Sequence, residues 1–261
     1  MLTARLLDRL SVGGPLWVWL RNARVWSRNW KTSLVGTIGE PLFYFLGLGY
    51  GLSTIVPPIG GLSYLNYVVP GLMLSAVMHS TTIEATYSTF SKLEHQQIHA
   101  SMTLAPLTFE EIVLGEMLWA VTKGLASGIT VLLLAFLTGV VPPWPGILLV
   151  GLLLLGGLIF ASLGMIVTSL AKSYDSFNYY FTLVISPMFF FSGIFFPLDS
   201  LGPWAGVISW LFPLTHLVAV SRALCHGTAG GALLPELAWL TLFAVLAFAA
   251  AVKLMAKRFF P

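Results

Sequence analysis

Apolar residues run along the chain in blocks of about 20, the length a helix needs to cross a hydrocarbon layer. Six such blocks fall at about 33–56, 65–88, 118–140, 146–170, 177–197 and 234–255. They predict transmembrane helices. Short Gly/Pro turns follow the first and third blocks, VPPIGG at 56–61 and VPPWPG at 141–146. One stretch does not fit this rhythm. From Phe189 to Leu224 the chain reads FFFSGIFFPLDSLGPWAGVISWLFPLTHLVAVSRAL. It breaks at Pro197, shows an acid at Asp199, then turns apolar again while carrying Pro203, Pro213, His216 and Arg222. Irregular backbone at membrane depth survives only where protein or water covers it. The stretch therefore reads as a span that exits the bilayer, followed by a segment that dips back without crossing. The alternative is two ordinary spans joined by a turn.

Charge separates the two readings. With the N-terminus inside, the inner set holds Arg5, Arg9, Arg21, Arg24, Arg28 and Lys31. It also holds Lys92, Lys123, Lys172, Lys253, Lys257 and Arg258. That is twelve of the thirteen Lys and Arg residues, with Arg222 alone outside. A full crossing by 203–224 would throw the basic C-terminal tail outside. The re-entrant reading keeps both termini cytoplasmic. It also demands a local reason for Arg222, for which the carboxylates of Asp199 and Glu236 are the nearest in sequence.

Composition agrees with a polytopic membrane protein. The 261 residues are 57% hydrophobic and only 9% charged, against about 25% charged in soluble domains. Mean hydropathy is +0.88. The formal charge of +3 follows loop orientation rather than nucleic-acid binding. A single cysteine, Cys225, excludes an internal disulfide and argues against a thiolate metal site. No signal-peptide pattern precedes the first block, which is expected to act as its own insertion signal.

Two polar segments stand out. Residues 15–31, PLWVWLRNARVWSRNWK, mix tryptophans with Arg21, Arg24, Arg28 and Lys31 on roughly one helical face. Tryptophan favours the headgroup level and arginine favours anionic lipid. An amphipathic helix on the cytoplasmic surface is expected, with a solvated linker as the plain alternative. Residues 89–117, TFSKLEHQQIHASMTLAPLTFEEIVLGEM, form the largest polar stretch. Pro106 splits it, and Thr108 with Glu111 predicts a capping box that starts a new helix. Such a surface element suits a soluble partner, or is simply a solvated loop.

Small residues recur at packing spacing: Gly47 with Gly51, and the row Ala120, Gly124, Gly128. Ionisable residues in or beside the spans are costly to bury. Glu40, Glu84 near Tyr87, and Lys123 read either as a polar gate or substrate contact, or as a structural ion pair. Aromatics crowd the first and fifth blocks, including Tyr44, Phe181 and Phe190. They read as a surface for sugar rings or acyl chains, or as lipid-facing and packing side chains. No GxxxxGK[ST] loop occurs, so ATP is not bound by that route. His95 and His99 are four apart but lack the HExxH order. No GxSxG elbow occurs.

At EPLFYFLGLGYG (40–51), EATYSTF (84–90), PLTFEEIVLGE (106–116), SGIFFPLDSL (192–201) and FPLTHLVAVSRAL (212–224), the chain resembles the ABC-2 type permeases. These are the membrane subunits of ABC exporters, and the NodJ-like permeases of lipo-oligosaccharide export are the nearest subfamily in wording. Gly202 stands before Pro203 where a proline pair is expected. The resemblance implies one all-α transmembrane domain over 1–261, in the bacterial inner membrane. It implies a permease dimer with two copies of a separate ATPase, and no cofactor here because ATP and Mg sit on that partner. It implies an interface helix at 15–31 through Trp17, Arg21, Arg24 and Arg28. It places a coupling segment at 92–111 through Glu94, His95, Gln96, His99, Pro106, Glu110 and Glu111, and a re-entrant region at 198–226. A translocation path or gate would draw on Glu40, Tyr44, Glu84, Tyr87, Phe181, Phe190, Asp199, His216 and Arg222. The implied cargo is an amphiphilic or lipid-linked oligosaccharide, with drug efflux as the alternative. A membrane-embedded transferase would need clustered catalytic acids or histidines, and a passive channel would need a repeated polar ring. Neither pattern is present in the sequence.

Overall fold

The computed structural model describes residues 13–96, 107–142, 144, 146–228, 230–231 and 233–259. Among them the chain is all helical apart from turns and one isolated bridge between Ile59 and Leu62. We number the helices α1 (Gly13–Arg28), α2 (Trp30–Phe43), α3 (Tyr64–Ile83), α4 (Phe109–Leu137), α5 (Gly146–Leu170), α6 (Asp175–Tyr180), α7 (Ser186–Phe190), α8 (Pro203–Trp210), α9 (Pro213–Cys225) and α10 (Leu233–Phe259). α4, α5 and α10 are each long and apolar enough to cross a membrane. α8 and α9 pass the same test only as a pair, bent by 93° at their junction. Pro213 at the head of α9 follows Phe212 in extended backbone, which is what ends one helix before a proline.

The other apolar blocks are helical but locally widened. α2 continues as a π-helical segment, Tyr44–Gly51, with Tyr44 in right-handed helical geometry, φ −64° and ψ −43°. α3 continues through π segments Glu84–Ser88 and Ser91–His95. A fourth π segment, Phe181–Ile185, joins α6 to α7. π-bulges admit an extra residue per turn and occur often at functional sites. The helix expected to reach 197 ends at Phe190, and Gly193 beyond it holds φ +72°.

Packing centres on α3. Its middle is buried almost without interruption from Tyr67 to Met78. α4 lies against it because two glycines remove side chains. A Cβ at Gly124 would collide with the Thr81 hydroxyl, and one at Gly128 with Val77. The expected row on α4 is thus a real contact surface. The expected Gly47/Gly51 pair is not. Nothing lies within 4 Å of a Cβ at Gly47, and Gly51 would meet only the Leu46 carbonyl of its own segment. Those two glycines face away from the packed core. α10 packs along α5, with Leu240, Ala244, Ala251 and Met255 buried.

α4 starts as the sequence predicts. Thr108 N–H donates to Glu111 Oε2 at 2.8 Å, and Glu111 N–H donates to Thr108 Oγ1 at 3.3 Å, a complete capping box.

Candidate functional site

α1 is amphipathic, and its buried stripe is laid on the first turns of α4. Val18 is 1% exposed while Trp17 is 63% exposed. Close approach again depends on glycine: a Cβ at Gly115 would collide with Val18, and one at Gly14 with Glu111. Trp19 Nε1 donates to Thr122 Oγ1 at 2.9 Å and meets Trp119 edge-on at 6.3 Å. Of the predicted interface residues, Arg24 and Arg28 are exposed and Arg21 is half-buried.

This packing opens two adjoining cavities between α1–α2 on one side and α3–α4 on the other. The upper one, of about 330 Å³, is lined by hydroxyl groups of Thr32, Thr37, Ser80 and Ser127, with Glu40, Tyr44 and His79. The lower one, of about 280 Å³, is lined by Arg21, Asn22, Trp26, Lys92 and Gln96 among others. Ser33, Glu84 and Lys123 line both. Lys123 Nζ donates to Thr37 Oγ1 at 2.8 Å, and Thr37 donates to the Ser33 carbonyl at 2.9 Å, which pins the start of α2 to α4. The upper cavity ends in rings: His79 meets Phe189 edge-on at 5.3 Å, and Tyr44 lies 5.8 Å from the same ring.

Charges gather at one end of the bundle. Lys92 Nζ reaches Glu84 at 3.3 Å and Glu116 at 2.7 Å, and the Glu116 side chain is 1% exposed. Arg258 Nη1 donates to the carbonyls of Thr168 and Ala171 at 2.5 and 2.6 Å, closing the C-terminus of α5. Its other arm reaches Glu94 at 2.7 Å. Tyr87 joins this end through rings, 5.0 Å from Phe177 and 5.8 Å from Phe181, and donates to Asn178 Oδ1 at 3.0 Å.

The opposite end is built differently. Arg222 donates to the Tyr67 carbonyl at 3.1 and 3.2 Å and to the Gly193 carbonyl at 2.8 Å, and lies 3.8 Å over the Tyr67 ring. Tyr67 OH donates to Gly193 O at 3.3 Å. The expected carboxylate partner is therefore replaced by backbone. Glu236 pairs instead with His216 Nδ1, while His216 Nε2 contacts the Trp210 carbonyl at 2.7 Å and the ring stacks on Trp239 at 4.1 Å. Asp199 is exposed in the short Leu198–Leu201 turn and forms no ion pair among the described residues.

The predicted path residues thus fall into three places. Glu40, Tyr44 and Glu84 share the cavities. Tyr87 and Phe181 share a ring cluster. Phe190, Asp199, His216 and Arg222 belong to the far end, with Phe190 half exposed and 5.2 Å from Phe189. In the expected coupling segment, Glu94 is exposed and Glu110 half-buried, whereas Glu111 is 2% exposed and engaged in the capping box. Gln96 lines the lower cavity. The His95 side chain, His99 and Pro106 lie outside the described residues. Sequence reasoning missed Asn22, Trp26, His79 and Glu116 as site residues. A lone His and a lone Glu within apolar runs were available as signals for the last two.

Comparison with known proteins gives a consistent result. The ABC-2 type transporter family model matches residues 16–225. Nodulation protein J of Sinorhizobium fredii is 35% identical over 242 residues, 92% of each chain. Nodulation protein J of Rhizobium leguminosarum bv. trifolii is 39% identical over 219 residues, 82% of this chain and 83% of that one. Inner membrane transport permease YadH of Escherichia coli is 26% identical over 207 residues, 78% and 80% of the two chains.

Proposed function

The chain belongs to the ABC-2 type transporter family, and from that premise we propose that it is the permease subunit of an exporter moving an amphiphilic or lipid-linked oligosaccharide out of the cytoplasm. In this reading it crosses the inner membrane six times, both termini are cytoplasmic, and 198–226 is re-entrant at the outer face. Two copies assemble with two copies of an ATPase subunit that docks on 92–111. The charged end of the bundle faces that subunit, so ATP-driven motion enters through Glu94 and Glu110. The paired cavities are the permease's share of the path. Arg222 and His216 fasten the outer end.

The observation that carries the substrate class is the polar trough inside an otherwise apolar bundle. Hydroxyls, the carboxylates of Glu40 and Glu84, the Lys123 ammonium, the His79 imidazole and the Tyr44 ring line it, a mixture suited to sugar hydroxyls and a sugar-ring face. The relatives named nodulation protein J match nearly the whole chain and support the same direction.

The test is export by cells making the chain with its ATPase. Radiolabelled lipo-oligosaccharide should reach the medium only when both are present. Glu94→Lys or Glu110→Lys should weaken co-purification of the ATPase while the permease still inserts. Unchanged co-purification would remove the coupling assignment. Export of lipophilic drugs but of no oligosaccharide would replace the substrate class.

A further inference from the structure

The lower cavity has a donor pattern that oligosaccharide transport does not require. Three cations line it, Arg21, Lys92 and Lys123, against one carboxylate, Glu84. Glu84 is already matched by Lys92, which also holds Glu116. Lys92 is shared by two carboxylates, so three cations face two carboxylates here, and neither Arg21 nor Lys123 has a carboxylate within 4 Å among the described residues. Lys123 instead lies 6.0 Å from the Trp26 ring centroid.

Neutral donors sit among these cations. Arg21 Nη1 donates to Asn22 Oδ1 at 3.1 Å. A guanidinium has no acceptor, so that bond fixes the amide and leaves Nδ2 as its donor end. Asn22 is 4% exposed. Its Nδ2 and the indole Nε1 of Trp26 are both buried with no hydrogen-bond partner among the described residues. They lie one helical turn apart on α1. Buried N–H groups without acceptors are destabilising and rare in native folds. Two of them, in the wall of a cavity with one cation in excess, suit an acceptor-rich anion.

We infer that the cavity between α1 and the charged ends of α3 and α4 is a binding site for a phosphate-class oxyanion. A tetrahedral anion offers acceptors in several directions at once. It would meet the Arg21 fork, the Lys123 ammonium, and the Asn22 and Trp26 N–H groups after a small opening of the wall. The anion is either the phosphodiester of a lipid headgroup or free phosphate. The exposed Trp17 on α1 and Trp30 at the head of α2 suit the headgroup level. This inference concerns a binding site alone and does not depend on transport.

The full-length chain, purified in a neutral detergent, would be examined by native mass spectrometry with phosphatidylglycerol, with diacylglycerol, and with inorganic phosphate. Retention of phosphatidylglycerol but not diacylglycerol is expected. Arg21→Gln and Trp26→Phe should each reduce it about tenfold, the scale of one charge-assisted hydrogen bond. Trp26→Phe keeps a ring in place, and unchanged elution and helicity would show that the fold survives. Retention of inorganic phosphate without the lipid, equally sensitive to both variants, would assign the free ion as ligand. Retention of neither, or retention indifferent to both substitutions in folded protein, would overturn the site. Because the readout is binding by the isolated chain, its failure leaves the exporter reading standing, and failed export leaves the site standing.

Discussion

The two ends of the bundle differ in how they hold their cations. At one end Lys92 lies between two carboxylates, and Arg258 joins one arm to Glu94 and the other to the carbonyls of Thr168 and Ala171. At the other, Arg222 has only carbonyls and a ring. A side chain paired with side chains can exchange partners as helices slide. A guanidinium forked onto the backbone of Tyr67 and Gly193 ties two chain segments together. The shared Lys92 pairing is therefore suited to transmitting motion, and the Arg222 fork to resisting it.

Substitutions can break that contrast. Lys92→Ala removes the ammonium shared by Glu84 and the buried Glu116, and a loss of about 3–5 kcal/mol is expected. Adding Glu116→Gln should recover much of it, because the defect is charge. Thermal melting of purified single and double variants would show this. No recovery would mean that Lys92 is a backbone lock like Arg222.

Arg222→Ala should cost about 2–3 kcal/mol from charged hydrogen bonds and the ring contact together. Arg222→Lys should fail to restore it, since an ammonium cannot reproduce the fork. Full rescue by lysine, read from melting temperature and expression, would reduce the far end to simple charge placement. Gly124→Leu should cost about 1–3 kcal/mol by forcing α4 off Thr81 of α3. The smallest effect is expected at Glu94→Ala, at most about 1 kcal/mol, because that pair is half open to solvent. If Glu94→Ala instead destabilised the protein as much as Lys92→Ala, the charged end would be a rigid joint and the contrast would fail.

Much of this was legible in the sequence, and the unreadable parts share a cause. The Thr108–Glu111 cap was readable because both partners are local and chemically marked. The Gly124/Gly128 surface was readable from spacing, whereas Gly47/Gly51 has the same spacing and packs against nothing. Spacing marks a surface that can pack without saying whether a partner arrives. The sequence asked for a local reason for Arg222 and pointed to a carboxylate. Carbonyls belong to every residue and leave no trace in a sequence, so Tyr67 and Gly193 could not be found that way. Glu236, nominated for Arg222, is taken by His216 because α10 delivers it beside α9. The cavities were hidden for a related reason. Asn22 and Trp26 read as interfacial residues until α1 is laid on α4.

The central claim is that the trough between α1–α2 and α3–α4 opens toward the side where the ATPase docks and receives the exported molecule. Ser33 lines both cavities, so Ser33→Cys in a Cys225→Ala background is the direct probe. A membrane-impermeant maleimide should label it in inside-out vesicles, should not label it in right-side-out spheroplasts, and should be slowed by added lipo-oligosaccharide. Labelling only from the outer side, or labelling unaffected by saturating lipo-oligosaccharide, would contradict the account.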